Sequence, residues 1–309
     1  MVRRNGLRSI GAALFLMAAI ASAAAAATLD EICGACRFEK VVTCGQFLEG
    51  INFDRAGHIW AVSLFSGDVV EVVGNKCETR AKTGGHANGA RFHKDGRLFI
   101  ADQTRGVLAF DPATRTLTVI ADTIDGQKMV AANDLVFDET GGFYVTVPNT
   151  STFLKPTGQV GYVAAGSKTA RVIADHLPYP NGVALSSDGK FVTIGLHGAK
   201  TILTVPAVTN ADGKRGAYVF AHTEGGIGPD GMAMDAAGRL YWANFLSGAV
   251  GIADADGFIL GYAKLPAGAG RWTTNLAFHD GYLYVTEAEQ GIIWRMPVTV
   301  KGEVLYADR

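Results

Sequence analysis

A fourteen-residue pattern occurs six times along this chain and decides its fold. The copies, each with the number of its first residue, are EGINFDRAGHIWAV (49), NGARFHKDGRLFIA (88), NDLVFDETGGFYVT (133), NGVALSSDGKFVTI (181), DGMAMDAAGRLYWA (230) and NLAFHDGYLYVTEA (275). Each copy begins with a polar residue, which is usually followed by a glycine. An alternating apolar run, a turn with glycine and a second apolar run come next. This order predicts two antiparallel strands joined by a tight turn.

Successive copies begin 39, 45, 48, 49 and 45 residues apart. The residues between copies leave room for about two more strands of roughly 5–6 residues each. A period of about 40–50 residues with four strands per unit is typical of a β-propeller blade. The sequence therefore predicts an all-β, six-bladed propeller with four-stranded antiparallel blades.

A propeller must cover the edge between its first and last blades. Residues 37–44 alternate like a strand and precede the first copy, so we expect them to supply the outer strand of the last blade. Residues 303–306 are the alternative for that position.

The first 27 residues resemble an export signal. Arg3, Arg4 and Arg8 precede an apolar run, and Ala-Ser-Ala at 21–23 offers a cleavage site, although an uncleaved tether is an alternative. We therefore expect a signal peptide at 1–27, a single propeller domain at 28–309, and a periplasmic or secreted protein without a membrane partner after cleavage. The net charge is −1, and the charged residues are mixed along the sequence without a basic stripe. No nucleic-acid partner is therefore expected.

The chain has four cysteines, all near its N-terminus: Cys33, Cys36, Cys44 and Cys77. An even number in an exported protein favours disulfides, and three pairings are possible. The CxxC spacing of the first two also occurs in redox pairs and zinc sites, but a second CxxC, a neighbouring histidine cluster and a thioredoxin-like βαβ pattern are missing from the sequence.

The first residues of the copies should form a ring where the innermost strands begin: Glu49, Asn88, Asn133, Asn181, Asp230 and Asn275. All carry side-chain oxygens, which suit a hard cation, Ca²⁺ before Mg²⁺ or Mn²⁺. Zn²⁺ remains an alternative, although it usually recruits His or Cys. Asn and Asp before Gly also form ordinary turns, an interpretation that fits Asn88 and Asn275 at least as well.

Four segments resemble motifs of the SMP-30/gluconolactonase/luciferin-regenerating family: Glu49-Gly, Asn133-Asp, Pro180-Asn181-Gly and Pro229-Asp230-Gly-Met. The resemblance covers about residues 37–300. It implies a six-bladed propeller with one divalent metal, usually Ca²⁺, held by Glu49, Asn133, Asn181 and Asp230. It also implies that Asp230 is the catalytic base.

The chain departs from the family at two positions. Ala131 stands where animal members have an arginine used on sugar substrates, and Val147-Pro148 replaces an Asp-Pro of many bacterial sugar lactonases. Both departures argue against gluconolactone itself as the substrate. His197 and His222, on predicted loops, are candidates for proton transfer, and Trp272, Phe245 and Tyr179 for an apolar wall around a substrate.

These observations predict an exported, metal-dependent hydrolase acting on a small-molecule lactone or related ester. One alternative is a non-catalytic, NHL-like propeller that binds a ligand or protein. The other is a strictosidine-synthase-like or lyase-like propeller enzyme.

Overall fold

The structure is a computed structural model and describes residues 27–208 and 216–309. One short helix, α1 (Leu29–Cys33), begins the described chain and is capped by Thr28 and Glu31. The predicted signal peptide, apart from Ala27, lies outside the described residues. Among the described residues, one 3₁₀ turn, His197–Ala199, lies between two strands, and another, Tyr306–Asp308, follows the last strand.

The described strands form six blades, preceded by β1 (Glu39–Thr43). Blade one contains β2 (Leu48–Phe53), β3 (Ile59–Ser63), β4 (Asp68–Val73) and β5 (Lys76–Lys82). Blade two contains β6 (Ala87–Phe92), β7 (Leu98–Asp102), β8 (Gly106–Asp111) and β9 (Thr116–Ala121). An added hairpin, β10 (Thr123–Ile124) and β11 (Gln127–Lys128), precedes blade three, which contains β12 (Leu135–Phe137), β13 (Phe143–Val147), β14 (Gly158–Val163) and β15 (Thr169–Leu177).

Blade four contains β16 (Pro180–Leu185), β17 (Phe191–Leu196), β18 (Thr201–Pro206) and β19 (Tyr218–His222). Blade five contains β20 (Gly228–Met234), β21 (Leu240–Phe245), β22 (Ala249–Ala253) and β23 (Ile259–Lys264). Blade six contains β24 (Thr273–His279), β25 (Tyr282–Glu287) and β26 (Ile292–Pro297), with β1 as its fourth strand.

The predicted six-bladed, all-β propeller is confirmed, and each repeated segment forms the two innermost strands of one blade. Blade three differs from the expected four strands, because β10 pairs in parallel with its outer strand β15 and carries β11 with it. The added hairpin therefore lies at the outer edge of blade three, away from the channel.

The N-terminal strand closes the ring. β1 pairs antiparallel with β26 and is the outer strand of blade six, as expected for residues 37–44. The alternative for residues 303–306 is wrong: β1 already occupies the edge, and the C-terminal segment instead crosses one end of the propeller. There Gly302 forms an isolated bridge with Asp235 of blade five.

Both disulfides lie in the N-terminal region. Cys33 is bonded to Cys36 at the end of α1, and Cys44 to Cys77 with a Cα–Cα distance of 5.3 Å. Cys44 follows β1, whereas Cys77 lies in the outer strand of blade one. The second disulfide therefore links the last blade to the first across the seam of the ring.

The hydrophobic core lies between the blades. In the described part of the chain, each pair of neighbouring blades packs together through a cluster of buried apolar side chains. The cluster between blades five and six also receives Ile32 of α1, which is fully buried. Among residues 27–208 and 216–309, no helix is both long and apolar enough to span a bilayer.

Candidate metal centre

The six innermost strands run in the same direction, and we call the end where they begin the upper face. Five of them have an irregular register near their first residues, as between Glu49 and Asn52 in β2 and between Pro229 and Met232 in β20. Such β-bulges change the direction of a side chain next to a site. In blade three the strand begins only at Leu135, so Asn133 precedes it.

The glycine after most of the ring residues has a steric reason. A Cβ on Gly50, whose φ is +46°, would lie 2.5 Å from the backbone oxygen of Asn88 in the next blade. A Cβ on Gly231 would lie 2.5 Å from Cγ of Asn275. Neighbouring innermost strands therefore approach so closely here that only glycine fits, which brings the ring residues together around the channel.

Glu49 and Asp230 are buried and near one another. Both side chains are about 4% exposed. Burial, followed by the negative charges of Asp230 and Asp134, raises the pKa of Glu49 well above its ordinary value. Burial and the charge of Asp134 likewise raise the pKa of Asp230, although hydrogen bonds from Asn181 and Gly231 oppose the rise. Ionised carboxylates in this place need a positive partner.

Three of the four ligands that the resemblance implies carry a buried oxygen without a hydrogen-bond partner. These atoms are Oε2 of Glu49, Oδ1 of Asn133 and Oδ1 of Asn181. Asn275, at the same position of blade six, differs because its Oδ1 accepts a hydrogen bond of 2.9 Å from the backbone N–H of Leu276. Buried polar atoms are rarely left without partners, so the three oxygens indicate a missing ligand.

Hydrogen bonds between blades three and four hold two of these residues in place. The Thr146 hydroxyl donates to the backbone oxygen of Asn181 at 2.6 Å and accepts from the N–H of Asp134 at 3.0 Å. From blade two, the backbone N–H of Gly89 donates to the backbone oxygen of Asn133 at 2.6 Å. The candidate ligands therefore lie on a backbone fixed by its neighbours.

Asp134 is a third carboxylate at the centre, which sequence reasoning did not single out. It stands where four other blades have glycine and is 1% exposed. Its two oxygens accept from the N–H groups of Leu135 and Val183. Burial raises the pKa of Asp134, and the charge of Arg91 opposes that rise. The only sequence signal was an acidic residue in a glycine position.

Aromatic rings form a continuous row on the upper face, which we call the aromatic collar. Neighbouring ring centres lie 5.0–6.0 Å apart in the order Phe65, Phe47, Trp272, Phe245, His197 and Tyr179. The three residues proposed from sequence as an apolar wall thus lie in one row, but sequence reasoning missed Phe47 and Phe65. The negative charges of Asp230 and Glu49 help to raise the pKa of Tyr179, after burial, so the collar reaches the candidate centre.

The two candidate histidines have different surroundings. His197 lies within the collar, its Nδ1 is 3.3 Å from the backbone oxygen of Pro229, and burial lowers its pKa to about 4. The ring is therefore neutral near neutral pH and donates from Nδ1. His222 is exposed at the end of β19, the outer strand of blade four.

The donor set fits a cation that prefers oxygen. Within residues 27–208 and 216–309, no three His, Cys, Asp or Glu side chains form a group that could hold a metal. A centre here thus depends on amide oxygens in addition to the carboxylates of Glu49 and Asp230. Carboxylate and amide oxygens are typical ligands of Ca²⁺.

Comparison with known proteins agrees with this architecture. The family model "SMP-30/Gluconolactonase/LRE-like region" matches residues 49–289. The lactonase drp35 of Staphylococcus aureus is 33% identical over 237 residues, which cover 72% of this chain and 71% of that protein.

Solved structures share the fold. A gluconolactonase of Xanthomonas campestris superimposes with a TM-score of 0.76 at 20% identity, covering 87% of this chain and 92% of that one. Regucalcin of Agrobacterium tumefaciens, described as a calcium-binding protein, gives 0.71 at 22% identity, covering 86% and 95%. From the family match and the lactonase relative, the chain belongs to the SMP-30/gluconolactonase/LRE-like family.

Proposed function

We propose that this protein is a metal-dependent hydrolase that opens a small-molecule lactone or a related ester. The observation that carries the proposal is the set of buried, unpartnered oxygens of Glu49, Asn133 and Asn181 beside the carboxylate of Asp230. Two buried carboxylates and two amides match the charge and the hardness of a divalent cation. The lactonase and gluconolactonase names of similar proteins support the same class of reaction.

Ca²⁺ is the cation we propose for Glu49, Asn133, Asn181 and Asp230. It takes about six to eight oxygens, so four side chains leave positions for water and substrate. Mg²⁺, Mn²⁺ or Zn²⁺ are alternatives, and the calcium-binding description of the similar regucalcin favours Ca²⁺. When bound, the cation would polarise the carbonyl of the substrate and stabilise negative charge on its oxygen.

The protein's own groups orient the remaining chemistry. The side-chain amide of Asn181 and the backbone N–H of Gly231 face the carboxylate of Asp230 and favour its ionised form, against the effect of burial. We propose that this carboxylate holds the attacking water and accepts its proton. The neutral ring of His197 and the hydroxyl of Tyr179 line the approach to the same place.

The aromatic collar indicates the kind of substrate. Its six rings present mainly apolar surface at the channel mouth, and Phe65 is 70% exposed there. Ala131, with a φ of +61°, offers no polar side chain ahead of Asn133. We therefore propose a lactone with an apolar body, which would pack against the collar while its carbonyl reaches the centre.

We also propose that residues 1–27 are a signal peptide and that residues 28–309 are the exported domain, periplasmic or secreted. The two disulfides support this, because disulfides persist mainly in oxidising compartments. Mass spectrometry of the protein from its native host would test it, with a mature N-terminus near residue 28 as the expected result.

The enzymatic proposal is tested by metal analysis and a panel of lactones. We expect about one divalent cation per chain, hydrolysis of an aromatic or aliphatic lactone, loss of activity with chelator and recovery with Ca²⁺. Asp230→Asn keeps the oxygen but removes the negative charge and the base, and should abolish hydrolysis without unfolding the propeller. A metal-loaded protein with no activity on the panel would favour a binding propeller instead.

A further inference from the structure

A cavity lies at the lower face of the propeller, the end opposite the candidate metal centre, where the innermost strands end. Its volume is about 610 Å³, within the range of small-molecule pockets. The ends of β16, β20 and β24 and the C-terminal segment 298–305 form its walls. Glu49 and Asp230 are not among the lining residues, so the cavity is separate from the candidate metal centre.

The walls of this lower cavity are mainly apolar. Apolar side chains that keep some exposure line it, including Val136, Leu185, Phe278, Val300 and Leu305. Apolar walls of this kind bind the apolar body of a ligand, and a few fixed polar groups then set its orientation.

One buried cation, Arg91 of β6, faces the cavity from within the channel. Its side chain is 7% exposed, and its Nη2 donates to the backbone oxygen of Met232 at 3.1 Å. Nη1 is 3.4 Å from the backbone oxygen of Ala90. A guanidinium has five N–H donors, so these two contacts leave donors for a further acceptor. Asp134, where the charge of Arg91 opposes the rise in pKa caused by burial, does not line the cavity.

The rim carries the opposite charge. Asp280, Glu303 and Asp308 line the outer part of the cavity together with Lys301. An anionic group would therefore be repelled at the rim and attracted by Arg91 inside. This arrangement gives a bound anion one orientation, with its charge inward.

The C-terminal segment is held on both sides of the cavity. The backbone N–H of Glu303 donates to the oxygen of Met234 at 3.0 Å, and Tyr306 packs into the cluster between blades two and three. Val304 and Leu305, between these anchors, are 58% and 37% exposed. The outer wall is thus fixed at its ends and less packed in its middle, where a ligand could enter.

We propose that the lower cavity binds an apolar monocarboxylate, such as a medium-chain fatty acid. The carboxylate accepts hydrogen bonds from Arg91, and the alkyl chain lies along Leu185, Phe278 and Val300 toward the C-terminal segment. The site requires no metal and is independent of hydrolysis at the upper face.

Calorimetric titration of the folded protein with decanoate, and with decanol as the neutral control, tests the proposal. We expect decanoate to bind at micromolar to about millimolar concentration and decanol to bind more weakly. The same affinity is expected with excess EDTA, because the site contains no cation. Loss of binding with EDTA would assign the carboxylate to a metal instead and overturn the proposal, as would no binding of decanoate.

Three variants locate the site. Arg91→Gln should weaken decanoate about ten- to a hundredfold while leaving decanol unchanged, as expected for a hydrogen bond to a charged group. Ala233→Phe, at the cavity wall, should weaken both ligands by filling space. Trp272→Ala, on the upper face, should change neither.

Hydrogen exchange in the parent protein is a second measurement, and it does not depend on whether a variant folds. In the parent protein, decanoate should slow hydrogen exchange in residues 298–305 and leave the collar unchanged. Slowed exchange at the collar alone, or loss of binding in Trp272→Ala, would overturn the assignment.

Discussion

The side-chain amide of Asn181 faces the carboxylate of Asp230 and opposes the rise of its pKa, while the Asn181 oxygen has no hydrogen-bond partner. The amide nitrogen is thus turned toward the carboxylate, and the amide oxygen remains available. Because both residues belong to the proposed ligand set, a change at Asn181 also alters the surroundings of Asp230.

Replacing Asn181 should therefore affect more than one ligand. Asn181→Ala removes an oxygen and releases Asp230, so we expect Ca²⁺ affinity to fall at least about tenfold, the loss typical even of groups that only support a ligand. The measurement is the rise in Tm on adding Ca²⁺, which reports binding to the folded state. Asn88→Ala is the matched control at the same position of blade two; an equal loss in both variants would contradict the ligand set.

The blades were predictable from sequence because their signals are local. Alternating apolar residues and a glycine turn specify a hairpin within fourteen residues, and the six repeats of that hairpin specify the ring. The hairpin 123–128 was not predictable, since it is held by parallel pairing of Thr123 with Thr169. Nothing in two-residue strands indicates such a distant partner.

The candidate site was predictable in part. The ring positions follow from the repeat, but the sequence does not tell which amide oxygens lack a hydrogen bond. Asn275 and Asn181 both begin a repeated segment, and only the family resemblance separated them; the N–H of Leu276 satisfies the Oδ1 of Asn275, whereas the Oδ1 of Asn181 has no partner. The collar also escaped prediction in part, because Phe47 and Phe65 lie outside the turn motifs. Phe65 packs on Phe47, and Phe47 contacts Trp272 only through closure of the ring.

The collar predicts a change in substrate binding. Trp272 lies 5.8 Å from Phe47 and 6.0 Å from Phe245 between ring centres, so its removal opens the row. Trp272→Ala should raise KM for an aromatic lactone about tenfold with little change in kcat, the pattern of lost uniform binding. Phe258→Ala, an exposed aromatic away from the collar, should leave KM unchanged. A fall in kcat alone would argue against packing as the role of Trp272.

The raised pKa of Glu303 predicts that the stability of the protein depends on pH. Burial raises its pKa from 4.5 to about 7, with the charge of Arg309 opposing the rise. The folded protein then binds more protons than the unfolded chain between these values, so the free energy of unfolding falls as pH rises through that window.

Glu303→Gln should remove this loss. We expect the variant to have a higher Tm than the parent above about pH 7 and a smaller decline of Tm between about pH 4.5 and pH 7. Glu78→Gln, in the outer strand of blade one with a side chain 46% exposed in the parent, is the control and should follow the parent curve. Parallel curves for all three proteins would show that Glu303 does not ionise as argued.

The two disulfides should differ in their effect on stability. Cys44–Cys77 closes a sequence separation of 33 residues and joins blade six to blade one, whereas Cys33–Cys36 closes a separation of 3. By loop entropy alone, the first contributes about 4 kcal/mol to the free energy of unfolding and the second about 2 kcal/mol. Loss of Cys44–Cys77 should cost more than its loop entropy, because the ring can then open at its seam, where Val42, Leu48 and Ile293 form part of the shared core.

The test compares two double variants by chemical unfolding. Cys44→Ser/Cys77→Ser should lower Tm more than Cys33→Ser/Cys36→Ser. It should also speed hydrogen exchange in β1 and β26, because β1 is then held to the ring only by its pairing with β26 and by the seam core. Exchange in β16 and β20, on the other side of the ring, serves as the internal control. If both double variants lose equal stability and β1 stays protected, the seam is held by strand pairing and apolar packing, and Cys44–Cys77 adds no more than the short disulfide does.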